Sequence, residues 1–328
     1  MSHGRIIQEN KTNYILSDGD KEYRAVVRGK FHTADGFPKV GDNVEYVMTN
    51  KDEVVIESVL PRRTQIVRKA AGTGNDQQVI VANVDTILIV MGLDEDFNLS
   101  RLDRYILLAE QSLIKPVIIL NKCDLIPNAE DFLGQVHTRY PHVEVHLVSA
   151  GTGANMNALH SCLDKNVTAV LLGSSGAGKS TITNWLLNRV TQDTQEVRAD
   201  DGRGRHTTTA RHLFTLPNGS YLIDTPGMRE LALVGEVEGT VSEQVDELSQ
   251  QCKFKDCDHE KSSGCAVQTA IKQGLIHSDQ LTSFLKLKRE KRYLESREDY
   301  AEGLKYKQED RKLHKKFNQI KQAKFGKR

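Results

Sequence analysis

Short runs of alternating apolar and polar residues occupy the first 65 positions of the chain, with glycine and aspartate between them. The runs are Tyr14–Leu16, Tyr23–Val27, Asn43–Val47 and Val54–Ile56. An alternation with a period of two places successive side chains on opposite faces of a β-strand. Closely spaced strands without a helical period predict a small all-β barrel over residues 1–65.

Continuous apolar runs separated by helix-like stretches replace this pattern from about residue 79. They predict buried strands at Thr86–Met91, Val117–Leu120, Val143–Val148, Ala169–Leu172 and Tyr221–Ile223. Strand–helix alternation of this kind is typical of a mostly parallel, doubly wound α/β sheet, which we expect over residues 66–238.

Two local signals refine that sheet. Leu102–Gln111 has the clearest helical pattern, and Ser100 with Asp103 predicts a capping-box start for this helix. His212–Leu216 and Ser220–Ile223 flank a Pro-Asn-Gly turn and predict a hairpin.

Residues 239–328 are helical in tendency, polar and rich in charge. The net charge of +1 hides a basic tail, because residues 286–328 carry sixteen Lys/Arg against seven Asp/Glu. The tail has the charge to bind nucleic-acid phosphates, or it is a solvated amphipathic helix. No apolar run approaches the roughly 20 residues that span a bilayer. Because Met1–Arg5 also lacks a signal-peptide core, we expect a cytoplasmic protein without a membrane partner. We take a monomer as the default oligomeric state.

A phosphate-binding loop follows the apolar run Ala169–Leu172. Residues 173–180 read G-S-S-G-A-G-K-S, which matches the Walker A pattern, and a helix-like segment comes next. In such a loop the backbone N–H groups and a helix N-terminus face the phosphates, Lys179 reaches the β/γ-phosphates, and Ser180 binds Mg²⁺. The predicted phosphate-site residues are Gly173, Ser174, Ser175, Gly176, Ala177, Gly178, Lys179, Ser180 and Thr181.

Two further motifs predict guanine as the base. Asn121-Lys122-Cys123-Asp124 ends one strand, and the Asp124 carboxylate can accept two hydrogen bonds that guanine offers and adenine does not. Lys122 can cover a face of the base, and Cys123 is a filler within the motif. Ser149-Ala150 ends the next strand, where a backbone N–H can reach guanine O6.

The remaining elements predict a switch. Asp224-Thr225-Pro226-Gly227 fits D-x-x-G, in which Asp224 holds Mg²⁺ and the Gly227 amide senses the γ-phosphate. The Gly-rich, charged segment 201–209 suits a switch loop, with Thr208 as a candidate Mg²⁺ ligand.

Activation of the attacking water has no obvious residue. Met228 follows D-x-x-G where many GTPases have a water-orienting Gln. Intrinsic hydrolysis should therefore be slow unless a partner completes the site. His206 is the candidate water-orienting residue, and the alternative is that it is an exposed loop residue.

A metal site is predicted near residue 260. Cys252, Cys257, His259 and Cys265 form a Cys₃His set that can enclose one Zn²⁺ tetrahedrally with no open position, as structural sites do. The alternative is a group of free or buried cysteines beside an unrelated histidine. Cys162 is distant in sequence and is expected to lie in the core.

Taken together, these motifs resemble those of the RsgA (YjeQ-like) family of circularly permuted GTPases, which act in assembly of the bacterial small ribosomal subunit. The order is the specific part, because the base-reading motif precedes the phosphate loop. The resemblance implies an N-terminal OB-fold, a central permuted GTPase domain and a C-terminal zinc-binding domain. It also implies GTP hydrolysis to GDP stimulated by the small subunit, and binding to ribosomal RNA. The motifs that carry it are Asn121–Asp124, Gly173–Ser180, Gly204–Thr209, Asp224–Gly227 and Cys252/Cys257/His259/Cys265.

Two functions remain open at this point. In the first, the chain is an assembly GTPase whose nucleotide state sets its affinity for the small subunit. In the second, it is a GTP-sensing RNA or protein adaptor in which hydrolysis is incidental, an alternative that the missing Gln keeps open. A metabolic P-loop kinase is excluded because N-K-x-D and the paired switch elements would have no role in it.

Overall fold

The computed structural model describes most of the chain. The described residues are 1–10, 12–27, 36–69, 77–188, 211–224, 240–254, 257–259, 262–276, 278–282, 284–286 and 288–289. Within these ranges, no helix has the length and apolar character needed to cross a bilayer.

Five strands at the N-terminus close into a barrel, as predicted. They run in the order β1-β2-β3-β5-β4, and pairing between β1 and β4 closes the ring. The interior is filled by apolar side chains that include Leu16, Val44 and Ile56. The strands are β1 (Ser2–Glu9), β2 (Tyr14–Ser17), β3 (Glu22–Val27), β4 (Asn43–Met48) and β5 (Glu53–Val59).

Strand β1 was not predicted from the sequence, and the reason is a β-bulge. Its pairing register with β2 shifts between Ile6 and Gln8. A bulge breaks the period of two on which strand prediction depends. Here it allows neighbouring residues to enter different cores, with Ile6 inside the barrel and Ile7 packed into the next domain.

A hairpin of β6 (Gln65–Lys69) and β7 (Gln77–Ala82) follows the barrel. The connector before it contains Arg62 and Arg63, and Arg62 does not project into solvent. Its guanidinium donates two 2.8 Å hydrogen bonds to the fully buried carboxylate of Asp42. This bidentate pair fixes the exit from the barrel.

The central sheet has the order β10-β9-β8-β11-β13-β12, in which every pair is parallel except β13–β12. The predicted hairpin is confirmed as this antiparallel pair. The strands are β8 (Thr86–Gly92), β9 (Lys115–Asn121), β10 (Glu144–Leu147), β11 (Thr168–Leu172), β12 (His212–Thr215) and β13 (Tyr221–Asp224).

Helices cover both faces of this sheet, so the doubly wound prediction is confirmed. Alternate residues of β8 point to opposite sides: Ile87 and Ile89 pack with α1 and α2, whereas Leu88 and Val90 pack with α3 and α4. Burial on both faces explains why β8 and β11 read as continuous apolar runs. The helices are α1 (Leu99–Gln111), α2 (Ala129–Arg139), α3 (Ala158–Ser161) and α4 (Lys179–Leu186).

The predicted capping box of α1 is wrong. The N-cap is Asn98, whose side-chain oxygen accepts a 2.9 Å hydrogen bond from the Arg101 amide. Asn is as good an N-cap as Ser, so the helix starts before Ser100. The Asp103 carboxylate does not cap the helix but instead binds the side chain of Arg139.

The barrel is joined to the central sheet through β1. Gln8 pairs with His212, so β1 continues the sheet beyond β12. Next to this contact the Arg5 guanidinium donates hydrogen bonds to the Asn83 carbonyl (3.3 Å) and the Thr168 hydroxyl (2.9 Å), and lies over the Tyr221 ring. Each of these bonds crosses from the barrel to the nucleotide domain.

The C-terminal region is helical, with α5 (Thr240–Ser249) and α6 (Ala266–Lys272) around a small apolar core. A buried arginine connects it to the central domain. Arg139 at the end of α2 makes a bidentate contact with Asp103 and a further contact with Asp279. Burial alone would lower the pKa of Arg139, but the hydrogen bonds that it donates to Asp103, and the charge of that carboxylate, outweigh burial and raise the pKa, so the guanidinium stays charged.

Replacing Arg139 by methionine should lower the free energy of unfolding by about 3–5 kcal/mol, because Asp103 then stays buried without its cation. The Asp103 side chain is 12% exposed and that of Asp279 is 53% exposed. The matched control, Asp279→Asn, should therefore cost no more than about 1 kcal/mol. Urea titration of the two variants measures the difference, and equal losses would contradict this assignment.

Candidate nucleotide and metal sites

Three neighbouring strand ends form the candidate nucleotide site. β9, β8 and β11 are adjacent and parallel, so their carboxyl ends lie at one edge of the sheet. The Asn121–Asp124 motif begins at the end of β9, and the phosphate loop follows β11. Ligands of open α/β sheets bind at this edge.

The Asn121 side chain joins the predicted motifs to one another. Its Nδ2 donates a 2.8 Å hydrogen bond to the Ala177 carbonyl of the phosphate loop. Its Oδ1 accepts a 2.9 Å hydrogen bond from the Ala150 amide. Asn121 is buried, so both bonds are shielded from water. The base-reading strands and the phosphate loop are thereby held in a fixed relation.

The phosphate loop wraps around the start of α4, as predicted. The Lys179 ammonium lies inside the loop and donates a 2.8 Å hydrogen bond to the Gly173 carbonyl and another to the Ser174 carbonyl. Gly178, with φ +99°, is the N-cap of α4. A Cβ at Gly173 would lie 2.2 Å from the Val90 carbonyl oxygen, so glycine is required where the loop leaves β11. Ser180 and Thr181 lie in the first turn of α4.

An acidic segment that the sequence analysis missed supports both motifs. Asp94 pairs with the Lys122 ammonium, and Asp96 accepts a hydrogen bond from the Ser174 hydroxyl. Burial would raise the pKa of Asp94, but the Lys122 hydrogen bond and the Asp96 amide outweigh it and the pKa is lowered. Asp94 comes directly after β8 in the sequence, and β8 lies between β9 and β11, the two strands whose ends carry motifs. This position at the end of β8 was the available sequence signal for the role of Asp94.

The groups predicted to contact guanine differ in exposure and in whether they already make a hydrogen bond within the protein. Asp124 is exposed on a 3₁₀ turn, Cys123–Leu125. The two amides proposed for guanine O6 already have acceptors: Ser149 N–H bonds the Ala154 carbonyl, and Ala150 N–H bonds Asn121. A hydrogen bond from either amide to guanine O6 would therefore be shared with the acceptor that the amide already has.

The surroundings of Cys123, within the base-reading motif, disfavour the thiolate form of its side chain. Burial, followed by the nearby Asp124 carboxylate, raises the pKa of Cys123. Its backbone N–H donates to the Val148 carbonyl and so ties the 3₁₀ turn to the end of β10.

Of the predicted switch residues, Asp224 lies within the described part of the chain. Asp224 ends β13, which neighbours β11, so its carboxylate lies at the same sheet edge as the phosphate loop. The other predicted switch residues lie outside the described residues; they are His206, Thr208, Gly227 and Met228.

The predicted Cys₃His set is brought together at the C-terminal core. All four donor atoms lie within 4.8 Å of one another and can hold a metal ion. Cys265 Sγ lies 3.8 Å from Cys252 Sγ and 3.5 Å from His259 Nδ1. Cys265 is also the N-cap of α6, and its sulfur accepts from the Gln268 amide. Cys252 follows α5 and Cys265 caps α6, while Cys257 and His259 lie between the two helices. The packing of these segments, and not a single helix or strand, brings the four donors together.

A second layer of hydrogen bonds prepares His259 as a ligand. The Ser249 hydroxyl donates its hydrogen to the Val245 carbonyl at 2.6 Å, so towards His259 Nε2, at 3.1 Å, it acts as the acceptor. This fixes the proton on Nε2 and leaves the Nδ1 lone pair facing the sulfurs. Metal-bound histidines are oriented in this way. Burial, with Lys288 next, lowers the pKa of His259 and favours this neutral form.

Known proteins resemble this chain over most of its length. The family model of the RsgA GTPase matches residues 59–234. A relative from Vibrio vulnificus, "Small ribosomal subunit biogenesis GTPase RsgA 2", is 41% identical over 292 residues, covering 88% of this chain and 81% of the relative. The chain belongs to the RsgA GTPase family. Another RsgA, from Opitutus terrae, is 40% identical over 90% of this chain and 85% of its own length.

Two solved structures share the fold of this RsgA-family chain. YjeQ from Thermotoga maritima matches with a TM-score of 0.64 at 24% identity, covering 88% of this chain and 98% of that one. YloQ, described as a circularly permuted GTPase, matches with a TM-score of 0.60 at 25% identity, covering 92% and 96%. The predicted barrel and permuted GTPase fold are confirmed.

The model of the ABC transporter also matches, over residues 156–321. That range contains the phosphate loop, which many kinds of nucleotide-binding protein share. It excludes Asn121–Asp124, so it does not account for the base-reading half of the site.

Proposed function

We propose that this chain hydrolyses GTP to GDP during late maturation of the small ribosomal subunit, and that its nucleotide state controls binding to and release from the subunit. The observation that carries the GTP part is the Asn121 side chain, which joins the base-reading motif to the phosphate loop. The names of the relatives supply the subunit. Contact with its RNA, a monomeric state and a cytoplasmic location belong to the same proposal.

The chain's own residues divide the work of holding the nucleotide. Asp124 accepts hydrogen bonds from guanine, while Asp94 holds Lys122 in place beside it. At the other end, loop amides and the α4 N-terminus face the phosphates, and Lys179 exchanges its carbonyl partners for phosphate oxygens. Ser180 and Asp224 are suited to hold Mg²⁺, which neutralises charge between the β- and γ-phosphates when bound.

The metal at Cys252, Cys257, His259 and Cys265 is proposed to be Zn²⁺, because three thiolates and one imidazole suit it and leave no open position. The proposed domains are the barrel (1–65), the GTPase domain (66–238) and the zinc-binding domain (239–328). Since Asp224 stands near the end of the GTPase domain, we propose that the γ-phosphate moves the zinc domain through the short segment that follows.

Stimulation by the small subunit tests the enzymatic proposal against the adaptor alternative. We expect a slow intrinsic rate and a clear increase with purified small subunits, because Met228 cannot orient water. His206→Ala should lower the stimulated rate by about 100-fold with GTP affinity nearly unchanged, as removal of a group that positions water does. No stimulation of the unmodified chain would favour the adaptor, and equal stimulated rates would remove His206 from the mechanism.

A further inference from the structure

A second group of side chains that could hold a metal ion lies at the outer strand of the central sheet, apart from the Cys₃His cluster. Glu144 and His146 are two residues apart on β10, so they project from the same face of that edge strand. Cys162, predicted as a core residue, is the C-cap directly after α3 and packs against them with its side chain buried. The three donor atoms lie within 4.8 Å of one another.

The contacts converge on one point. His146 Nε2 lies 2.8 Å from Glu144 Oε1 and 3.2 Å from Cys162 Sγ, and the sulfur lies 3.4 Å from the same carboxylate oxygen. A catalytic relay would place the thiol and the carboxylate on different ring nitrogens, with the imidazole between them. Here both approach Nε2, which is the arrangement expected around a shared cation.

The triangle of donors has the right size for a metal. In a tetrahedral zinc site, bonds of about 2.0–2.3 Å place neighbouring donors about 3.3–3.6 Å apart. The observed edges are 2.8, 3.2 and 3.4 Å, so a small outward movement of Glu144 and His146 completes one face of the tetrahedron. We propose that Glu144, His146 and Cys162 form a second Zn²⁺ site, separate from the Cys₃His cluster.

Outer contacts and access also fit this assignment. The Lys115 ammonium binds Glu144 Oε2 at 2.8 Å and leaves Oε1 turned towards His146. His146 lines a surface pocket with Asn155, Asn157 and Ala158, through which an ion and a fourth ligand from solvent can enter. A metal site needs such an orienting partner and an entry path.

The site has a structural consequence for nucleotide binding. A metal here ties the end of α3 to β10, and three residues after β10 the Ala150 amide donates a hydrogen bond to Asn121. Occupancy should therefore stabilise the base-recognition edge. This proposal does not depend on the ribosomal function.

Metal counting on the full-length protein tests the proposal. After equilibration with buffered Zn²⁺, the unmodified chain should retain two equivalents by elemental analysis. The double variant Cys252→Ser/Cys257→Ser and the single variant His146→Ala should each lower the count by one, whereas the exposed His142→Ala should not. With Co²⁺ as a probe, thiolate-to-cobalt absorption should remain in Cys252→Ser/Cys257→Ser and disappear when Cys162→Ala is added.

The strength of binding gives a graded check. His146→Ala should weaken Zn²⁺ at this site by more than 100-fold, and Lys115→Met, which removes only the orienting partner, by about 10–100-fold. Should Cys162→Ala fail to fold, Glu144→Gln and His146→Gln provide the same comparison with little change in volume. One zinc equivalent in the unmodified chain, or an unchanged count in the His146 variants, would show a hydrogen-bonded cluster and overturn the proposal.

Discussion

Replacing Gly178 by alanine should lower GTP affinity by more than about 100-fold. A Cβ at Gly178 would lie 2.1 Å from Asn121 Nδ2. Asn121 cannot withdraw without losing its hydrogen bonds to Ala177 and Ala150, and each buried group left without a partner costs about 1–3 kcal/mol. The loop and the base-reading strands would be driven apart.

The control separates this collision from backbone strain. Gly19 has φ +105°, close to the +99° of Gly178, but no atom lies within 4 Å of its added Cβ. Gly19→Ala therefore carries a similar conformational cost, about 1–2 kcal/mol, without the clash. Titration with a fluorescent GTP analogue, together with thermal unfolding, compares the two. Affinity of Gly178→Ala within threefold of that of Gly19→Ala would contradict the proposed role of the Asn121 contacts.

Asp124→Asn should change the preferred nucleotide from GTP to XTP. The carboxylate of Asp124 accepts from guanine N1–H and the exocyclic amine, and an amide in its place presents one donor where an acceptor is needed. Losing charge-assisted bonds in a base site costs about 100-fold or more in affinity. Xanthine has a carbonyl at the position of that amine, so the asparagine NH₂ can donate to it.

Competition between GTP and XTP for the same labelled nucleotide measures the change of preference. Glu130→Gln is the matched control, because it removes an exposed carboxylate a few residues away in α2. It should leave the preference for GTP unchanged. If Asp124→Asn loses GTP and gains no affinity for XTP, the side chain has a role in folding of the 3₁₀ turn instead of base recognition.

Most strands and helices could be predicted from the sequence wherever buried residues recur with a regular period. β8 and β11 are buried on both faces and read as apolar runs, while β2 to β5 alternate. Prediction failed where a local irregularity intervened. The bulge in β1 hid a strand that belongs to two cores, and Asn98 capped α1 in place of Ser100.

In the candidate sites, too, some residues could be predicted from the sequence and others could not. Asn121, Lys179 and the Cys₃His set were predicted from the sequence, because a phosphate loop needs fixed residue types at fixed offsets and a metal site needs several ligand residues close together. Asp94 and Asp96 have no motif, since their role depends on a strand order that brings β8 between β9 and β11. The Arg139–Asp279 contact, across 140 residues, also has no sequence signal.

By itself the sequence determined the class of nucleotide, the Cys₃His set and the permuted order of the motifs, because each depends on chemistry carried by neighbouring residues. Only the tertiary structure decided what Asn121 does. Its side chain joins two segments 56 and 29 residues away, and a hydrogen bond of 2.8 Å specifies a position in space that spacing along the chain cannot encode. The same applies to Glu144, His146 and Cys162, which became a candidate site only when α3 packed on β10.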